Sequence, residues 1–258
     1  MMVFIALLWL FGASANAHAI NVDEILARSD SVVHPTNLQG RFTMTLVSSR
    51  GDERVTEVAA YQKRVSETRE DRLFLFTFPP SVEGTGLLVN SYLDQNEDRM
   101  WIYLPAVGAL KRVNLSTSGG GYFMGSDFTY SDLISASKED FHHELAGEAT
   151  VQGTECYVVE KRGQTKALQR KYGYSREVQF IRKSDFVAIL IQFYDLAGDL
   201  LKELRVEEVK TIGPYRYPSY VIMENKQTGH RSEIRFSEIE VPDTIPDEYF
   251  TPRYLLNQ

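Results

Sequence analysis

The spacing of apolar positions changes once along the chain, just after Leu38. Before that point Val22, Ile25, Leu26 and Val33 make a stripe at helical intervals, and Asn21 and Glu24 have capping-box spacing, so the segment predicts one amphipathic helix. Beyond it the period drops to two. Phe42, Met44 and Leu46 alternate with Thr43 and Thr45, Ser49-Arg50-Gly51-Asp52 reads as a hairpin tip, and a return strand covers about residues 54–65. Further strands are expected at about 73–78, 86–93 and 99–104, then, after a turn from Pro105 to Gly108, at 109–115. Towards the C-terminus two hairpins stand out. One joins 187–194 to 200–211 through Asp195-Leu196-Ala197-Gly198-Asp199, and the other joins 217–226 to 231–241 through Gln227-Thr228-Gly229-His230. Many strands linked by short turns predict a mainly β protein built on a large antiparallel sheet, sandwich or barrel. No repeat, low-complexity linker or domain boundary divides it, so residues 20–258 are expected to form a single domain.

The strand rhythm breaks from Ser116 to Ser137. Ser118-Gly119-Gly120-Gly121 is free to take unusual dihedrals, and Tyr122-Phe123-Met124-Gly125-Ser126-Asp127 and a short helix-like run to about Ala136 follow. Spacing alone fits two descriptions equally: a movable flap on a glycine hinge, or a long loop packed on the sheet edge.

The first nineteen residues form a different kind of segment. Met1 to Ala19 contains no Lys, Arg, Asp or Glu, and its apolar core from Val3 to Ala13 is shorter than the roughly 20 residues that span a bilayer. Ala17-His18-Ala19 has the small-x-small pattern of a signal-peptidase site, although the usual basic n-region is missing. Residues 1–19 are therefore expected to be a cleaved signal peptide that exports the protein, the alternative being a short N-terminal anchor; the periplasm of a Gram-negative bacterium is the expected destination. The formal net charge of −7 without a long basic run argues against nucleic-acid binding, which depends on phosphate neutralisation. Cys156 stands alone and is expected to be a small buried hydrophobe.

Catalytic signatures are missing. There is no G-x-S-x-G elbow, no H-E-x-x-H helix and no phosphate-binding loop: Gly119-Gly120-Gly121 lacks a following Lys-Ser/Thr, and Gly84-Thr85-Gly86 lacks the third glycine of a dinucleotide site. His142 and His143 would point to opposite faces of a strand, which suits shared metal ligation poorly. Asp127 and Asp132 could pair as carboxylates, but an N-cap role explains Asp127 without chemistry. The expectation is a protein that is not an enzyme and uses no cofactor or metal. The informative residues are apolar. Phe74, Phe76 and Phe78 share one strand face with Leu73 and Leu75 opposite, and Trp101 and Tyr103 share a face with Met100, Ile102 and Leu104 on the other. Strands apolar on both faces must be covered twice, by protein core or, on one side, by a ligand.

Tyr61-Gln62-Lys63-Arg64, the aromatic strand to Phe78-Pro79-Pro80, and Met100-Trp101-Ile102-Tyr103-Leu104-Pro105 occur in an order that resembles the periplasmic lipoprotein carrier family, LolA. Phe123-Met124-Gly125-Ser126-Asp127-Phe128, with Tyr130 and Asp132-Leu133, is similar to the outer-membrane lipoprotein-sorting branch of that family. The likeness runs from about Leu38 to Phe250. It implies a half-open antiparallel β-barrel with a few short helices as a lid, holding acyl chains in an apolar cavity lined by Phe74, Phe76 and Phe78, with Trp101 and Tyr103 added as candidates from the doubly apolar strand. It implies a lid carrying Phe123 and Met124, with Phe128 and Leu133 beside them, and a latch at Arg64. Two departures bear on that latch: Val65 stands where the family has proline, and charged residues 67–72 separate Arg64 from the aromatic strand. The implied partners are a lipid or acylated lipoprotein cargo, an inner-membrane transporter of the RND type and an outer-membrane acceptor. The alternative is a non-carrier adaptor that docks to such an exporter and uses its barrel as a scaffold.

Overall fold

The computed structural model describes residues 20–94, 97–115 and 118–257; the expected signal peptide, 1–19, lies outside the described residues. The period-two pattern folds into thirteen strands among these residues. They are β1 (Asn37–Val47), β2 (Glu53–Ser66), β3 (Arg69–Phe78), β4 (Gly86–Tyr92), β5 (Arg99–Leu104), β6 (Ala109–Arg112), β7 (Phe141–Val151), β8 (Thr154–Gly163), β9 (Arg176–Arg182), β10 (Ala188–Tyr194), β11 (Leu200–Ile212), β12 (Tyr215–Asn225) and β13 (Arg231–Glu240). All pair antiparallel in one sheet, in the order β6-β5-β4-β3-β2-β1-β13-β12-β11-β10-β9-β8-β7. The chain thus starts in the middle, meanders out to one edge at β6, crosses to the other edge at β7 and meanders back until β13 pairs with β1.

Antiparallel neighbours lie about 4.8 Å apart, so a flat sheet of this order would hold β5 and β7 roughly 50 Å from each other. They are instead joined in one core: Met100 and Ile102 of β5 and Phe141 of β7 belong to the same buried cluster as Phe42, Phe76 and Met223. Lys171, in α2 (Lys166–Tyr172) between β8 and β9, pairs with Asp98 at the start of β5 at 3.0 Å. The sheet therefore curls into a half-open barrel, with β6 and β7 left as its two unpaired edges.

Helix α1 (Val22–Val33) packs into the concave face near β8 and β9. Asn21 accepts from the Glu24 N–H as the capping spacing predicts, but the Glu24 side chain turns to Arg28 and does not complete the box. Ile25 is fully buried against Val159 and Ile181. Cys156 is buried, and that burial raises its thiol above its ordinary range.

The seam between β1 and β13 is unusually close at Gly40. A Cβ there would lie 2.2 Å from the Glu238 carbonyl oxygen, next to a register irregularity between Arg41 and Phe42. Gly40→Ala should push the two strands apart and cost about 1–3 kcal/mol, the usual penalty for overpacking. Urea unfolding of the two proteins measures it, and equal midpoints would contradict the contact.

Candidate functional site

Because cross-strand partners share a face, the register sorts the concave residues into rows. One row is Leu38–Gln62–Arg72, the next Gly40–Ala60–Phe74, and the next Phe42–Val58–Phe76. On the other side of Leu38–Gln62–Arg72 comes the polar row Arg64–Glu70–Ser91. Above these rows lies a cavity of about 260 Å³ between the C-terminal end of α1 and the segment 118–137. Its walls include Phe42, Ala60 and Phe74 from the sheet, Ile234 and Phe236 from β13, Val33 from α1, and Phe123, Phe128 and Leu133 from the covering segment.

That segment is the crossover between the two sheet edges, and it lies across the concavity as a lid of short 3-10 turns at Phe123–Gly125 and Tyr130–Leu133. The glycines are seated rather than free. Gly119 and Gly120 have φ of +67° and +78°, and an added Cβ would come within 2.5 Å of the Ser131 hydroxyl oxygen and 3.0 Å of Leu115 respectively. Phe123 is the lid's apolar anchor, buried with its ring 5.7 Å from Phe76 and 6.4 Å from Phe74.

Polar clusters on two sides tie the lid down. On the β3 side, Arg72 donates from Nη1 to the Leu133 carbonyl at 2.9 Å and from Nη2 to Ser135 Oγ at 3.0 Å. Ser135 donates to Glu70 Oε1 at 2.6 Å, and its N–H donates to Ser91 Oγ at 2.9 Å. Burial raises the Glu70 carboxyl, but Arg72, the Ser135 hydroxyl and the neighbouring Arg64 help to outweigh it and leave the group below its ordinary value, ionised within this cluster.

On the β11 side the clamp is a buried ion pair. Lys202 is fully buried, and its Nζ donates to Asp132 Oδ2 and to the Asp127 carbonyl, each at 2.7 Å. Asp132 also accepts from the Tyr174 hydroxyl at 2.7 Å and from the Thr129 N–H at 2.7 Å. Burial, reinforced by Asp132, raises Tyr174 well above its ordinary value, so it remains a donor. Asp127 Oδ2 accepts from Ser232 at 2.8 Å and meets His230 Nδ1 at 2.7 Å. Asp127 therefore caps no helix: Thr129 and Asp132 form the capping box, and Asp127 ties the lid to β13.

The expected site residues separate into three groups. Phe74, Phe123, Phe128 and Leu133 line the cavity. Phe76 faces the same side but is sealed in the core at 1% exposure, and Met124 packs partly buried on that core while its carbonyl accepts from Arg54 at 2.9 Å. Three residues leave the face assigned to them. Phe78 sits opposite Glu57 while Phe76 sits opposite Val58, so one extra residue, Thr77, turns Phe78 off the concave face to 46% exposure. Trp101 and Tyr103 point to the convex side, where with Leu73 and Leu88 they pack under Ile245, Phe250 and Leu255 of the C-terminal segment, which ends in α3 (Pro252–Leu256). Arg64 pairs with Glu70 at 3.2 Å; the arginines that donate to lid carbonyls are Arg72, to Leu133, and Arg54, to Met124. The signal for Arg72 was its phase with Phe74 and Phe76.

An open antiparallel sheet curled round an apolar cavity, with its own crossover as lid, is a LolA-like lipoprotein-sorting fold, and the solved structures agree. The chain is similar to an outer membrane lipoprotein-sorting protein domain from Vibrio parahaemolyticus, with 25% identity, a TM-score of 0.83, and coverage of 90% of this chain and 97% of that one. A DUF1329 family protein from Desulfovibrio piger matches at 26% identity and a TM-score of 0.84, over 90% and 96% of the two chains. A LolA superfamily protein from Nitrosomonas europaea shares the fold at 22% identity and a TM-score of 0.71, over 92% and 100%. No curated protein matches the chain. The chain belongs to the family whose profile matches residues 68–257, a family described only as uncharacterized protein.

Removing one partner of a buried ion pair typically costs 3–5 kcal/mol, because the other charge is left without compensation. Lys202→Met should therefore destabilise the protein by about that much, and Asp132→Asn in the same chain should recover a large part. Chemical denaturation of both single variants and the double variant measures the coupling; strictly additive losses would remove the clamp.

Proposed function

We propose that residues 20–258 work as one periplasmic lipid-binding unit that carries acyl chains, those of lipoproteins or of another lipid, from the inner to the outer membrane. The carrying observation is the apolar cavity under a lid that is attached by discrete polar contacts. The neighbouring lipoprotein-sorting domain from Vibrio parahaemolyticus supports the choice of cargo. An RND-type inner-membrane transporter as donor and an outer-membrane protein as acceptor complete the proposed route, and the chemistry needed is binding alone.

The energetics suit a reversible carrier. At about 260 Å³ the cavity falls just below the ~300–1,000 Å³ of common ligand pockets, so a full acyl chain requires the lid to lift. Acyl burial is worth about 0.8 kcal/mol per methylene, or on the order of 10 kcal/mol for a dozen before ordering costs. Each hydrogen bond from the charged Arg72 to the lid contributes about 1.5–3 kcal/mol net. Cargo can thus displace the β3-side contacts, while the stronger Lys202–Asp132 clamp keeps the lid registered on the other side.

Phe74 is the residue to test, since it lines the cavity without being sealed in the core. Native mass spectrometry of protein purified with its lipids retained should find a bound lipid or acyl peptide, and Phe74→Asp should lose it while keeping the wild-type circular dichroism. An empty wild-type protein together with full function of Phe74→Asp would replace the carrier by the exporter-docking scaffold.

A further inference from the structure

One buried side-chain amide in the cavity wall is only half used by the fold. Gln62 is only 9% exposed and lines the cavity beside Arg72. Its Oε1 accepts from Arg72 Nε at 3.3 Å. A guanidinium offers donors only, so the amide must present its oxygen there and turn its NH2 away. That Nε2 has no hydrogen-bond partner among the described residues. A buried donor without a partner is rare in native proteins and calls for a reason.

Its surroundings supply one. Arg64 and Arg72 share the single Glu70 carboxylate, and of these three only Arg72 lines the cavity, so the charged group presented beside Gln62 is a guanidinium. His34, on the wall from α1, already faces Asp30 at 2.9 Å. Tyr217, on the wall from β12, is pushed up to about 12 by burial and stays a neutral phenol. Among the described residues no carboxylate lines the cavity. From Gln62 the floor runs through Ala60 and Phe74 to Val58 and Phe42, which is roughly 13 Å along the strand at about 3.3 Å per residue. An apolar trough with a free donor and a cation at one end fits a chain that ends in an acceptor oxygen.

We infer that Gln62 Nε2, beside Arg72, binds the acyl oxygen of the cargo, so that the acyl chain lies along Ala60, Phe74 and Phe42 with its carbonyl or carboxylate at Gln62. This rests on the acyl-binding reading and adds an orientation to it. The ligand oxygen satisfies the orphan amide and approaches Arg72, which in the closed state donates to the Leu133 carbonyl of the lid. Cargo oxygen and lid carbonyl then compete for neighbouring donors, which links seating of the cargo to release of the lid on the β3 side.

The test is isothermal titration of the purified protein with dodecanoate, methyl dodecanoate and dodecylammonium, three probes with one chain length and different ends. Dodecanoate should bind at least about tenfold more tightly than dodecylammonium, as expected for a hydrogen bond to a charged acceptor. A methyl ester as tight as the acid assigns a neutral carbonyl as the natural group, and a weaker one assigns a carboxylate. Gln62→Glu keeps an acceptor for Arg72 Nε but replaces the free donor by an oxygen; it should weaken dodecanoate about tenfold or more and erase its advantage over dodecylammonium. Gln62→Leu, which adds no charge, should also lose the discrimination and serves if the Glu variant does not fold. Equal binding of all three probes, unchanged in either variant, would overturn the oxygen subsite and leave the apolar cavity standing. Failure of the wild-type protein to bind any probe would overturn the acyl-binding reading itself.

Discussion

The pairing of β1 with β13 is the contact on which the rest of the molecule depends. It joins the first strand to the last, across nearly the whole described chain, and it is the seam between two meanders that would otherwise be separate sheets. The cavity floor straddles this seam, with Phe42 on one side and Ile234 and Phe236 on the other; the Phe42 and Phe236 rings are 5.1 Å apart. The cavity therefore forms only when distant parts of the chain have met. Such non-local pairing is entropically slow to establish. Gly40 lets the two backbones approach closely enough for it to hold.

What could be read from the sequence follows from where each signal is stored. Strands β1 and β2 and the hairpins β10–β11 and β12–β13 announce themselves because alternation and turn chemistry are local. Residues 141–182 gave no comparable signal. Strand β7 alternates between exposed and half-buried residues such as His142, Glu144 and Glu148, and β8 is rich in charge, so the inward positions are too sparsely apolar to mark a period. The two faces of β3 and β5 were separable by parity, but not which face was concave. That depends on the C-terminal segment covering Leu73, Leu88, Trp101 and Tyr103. Phe78 was lost to a single bulge residue, which period-two reasoning cannot place.

The lid illustrates the same limit in its polar contacts. Its partners Arg72, Lys202 and Ser232 lie 61 or more residues away in sequence, so no spacing rule connects them to Leu133, Asp132 or Asp127. Specific hydrogen bonds fix the lid's position, while apolar contact through Phe123 supplies adhesion. A purely greasy lid would slide; this one has a register. The glycine run belongs to that register too, since Gly119 and Gly120 are packed against Ser131 and Leu115 and are not a loose hinge.

The lid is also the only stretch of chain between the two edges of the sheet, and this has a mechanical consequence. A flap tethered at one end swings; a strap tethered at both ends can only bow outward or be carried by its anchorages. Strands β6 and β7 share no ladder, and apart from the strap the rims meet through side-chain contacts such as Lys171–Asp98. The barrel can therefore widen without breaking a backbone pair. The span of residues 118–140 then limits how far the rims can part, making the length of this crossover a gauge for the girth of any cargo the proposed carrier would admit.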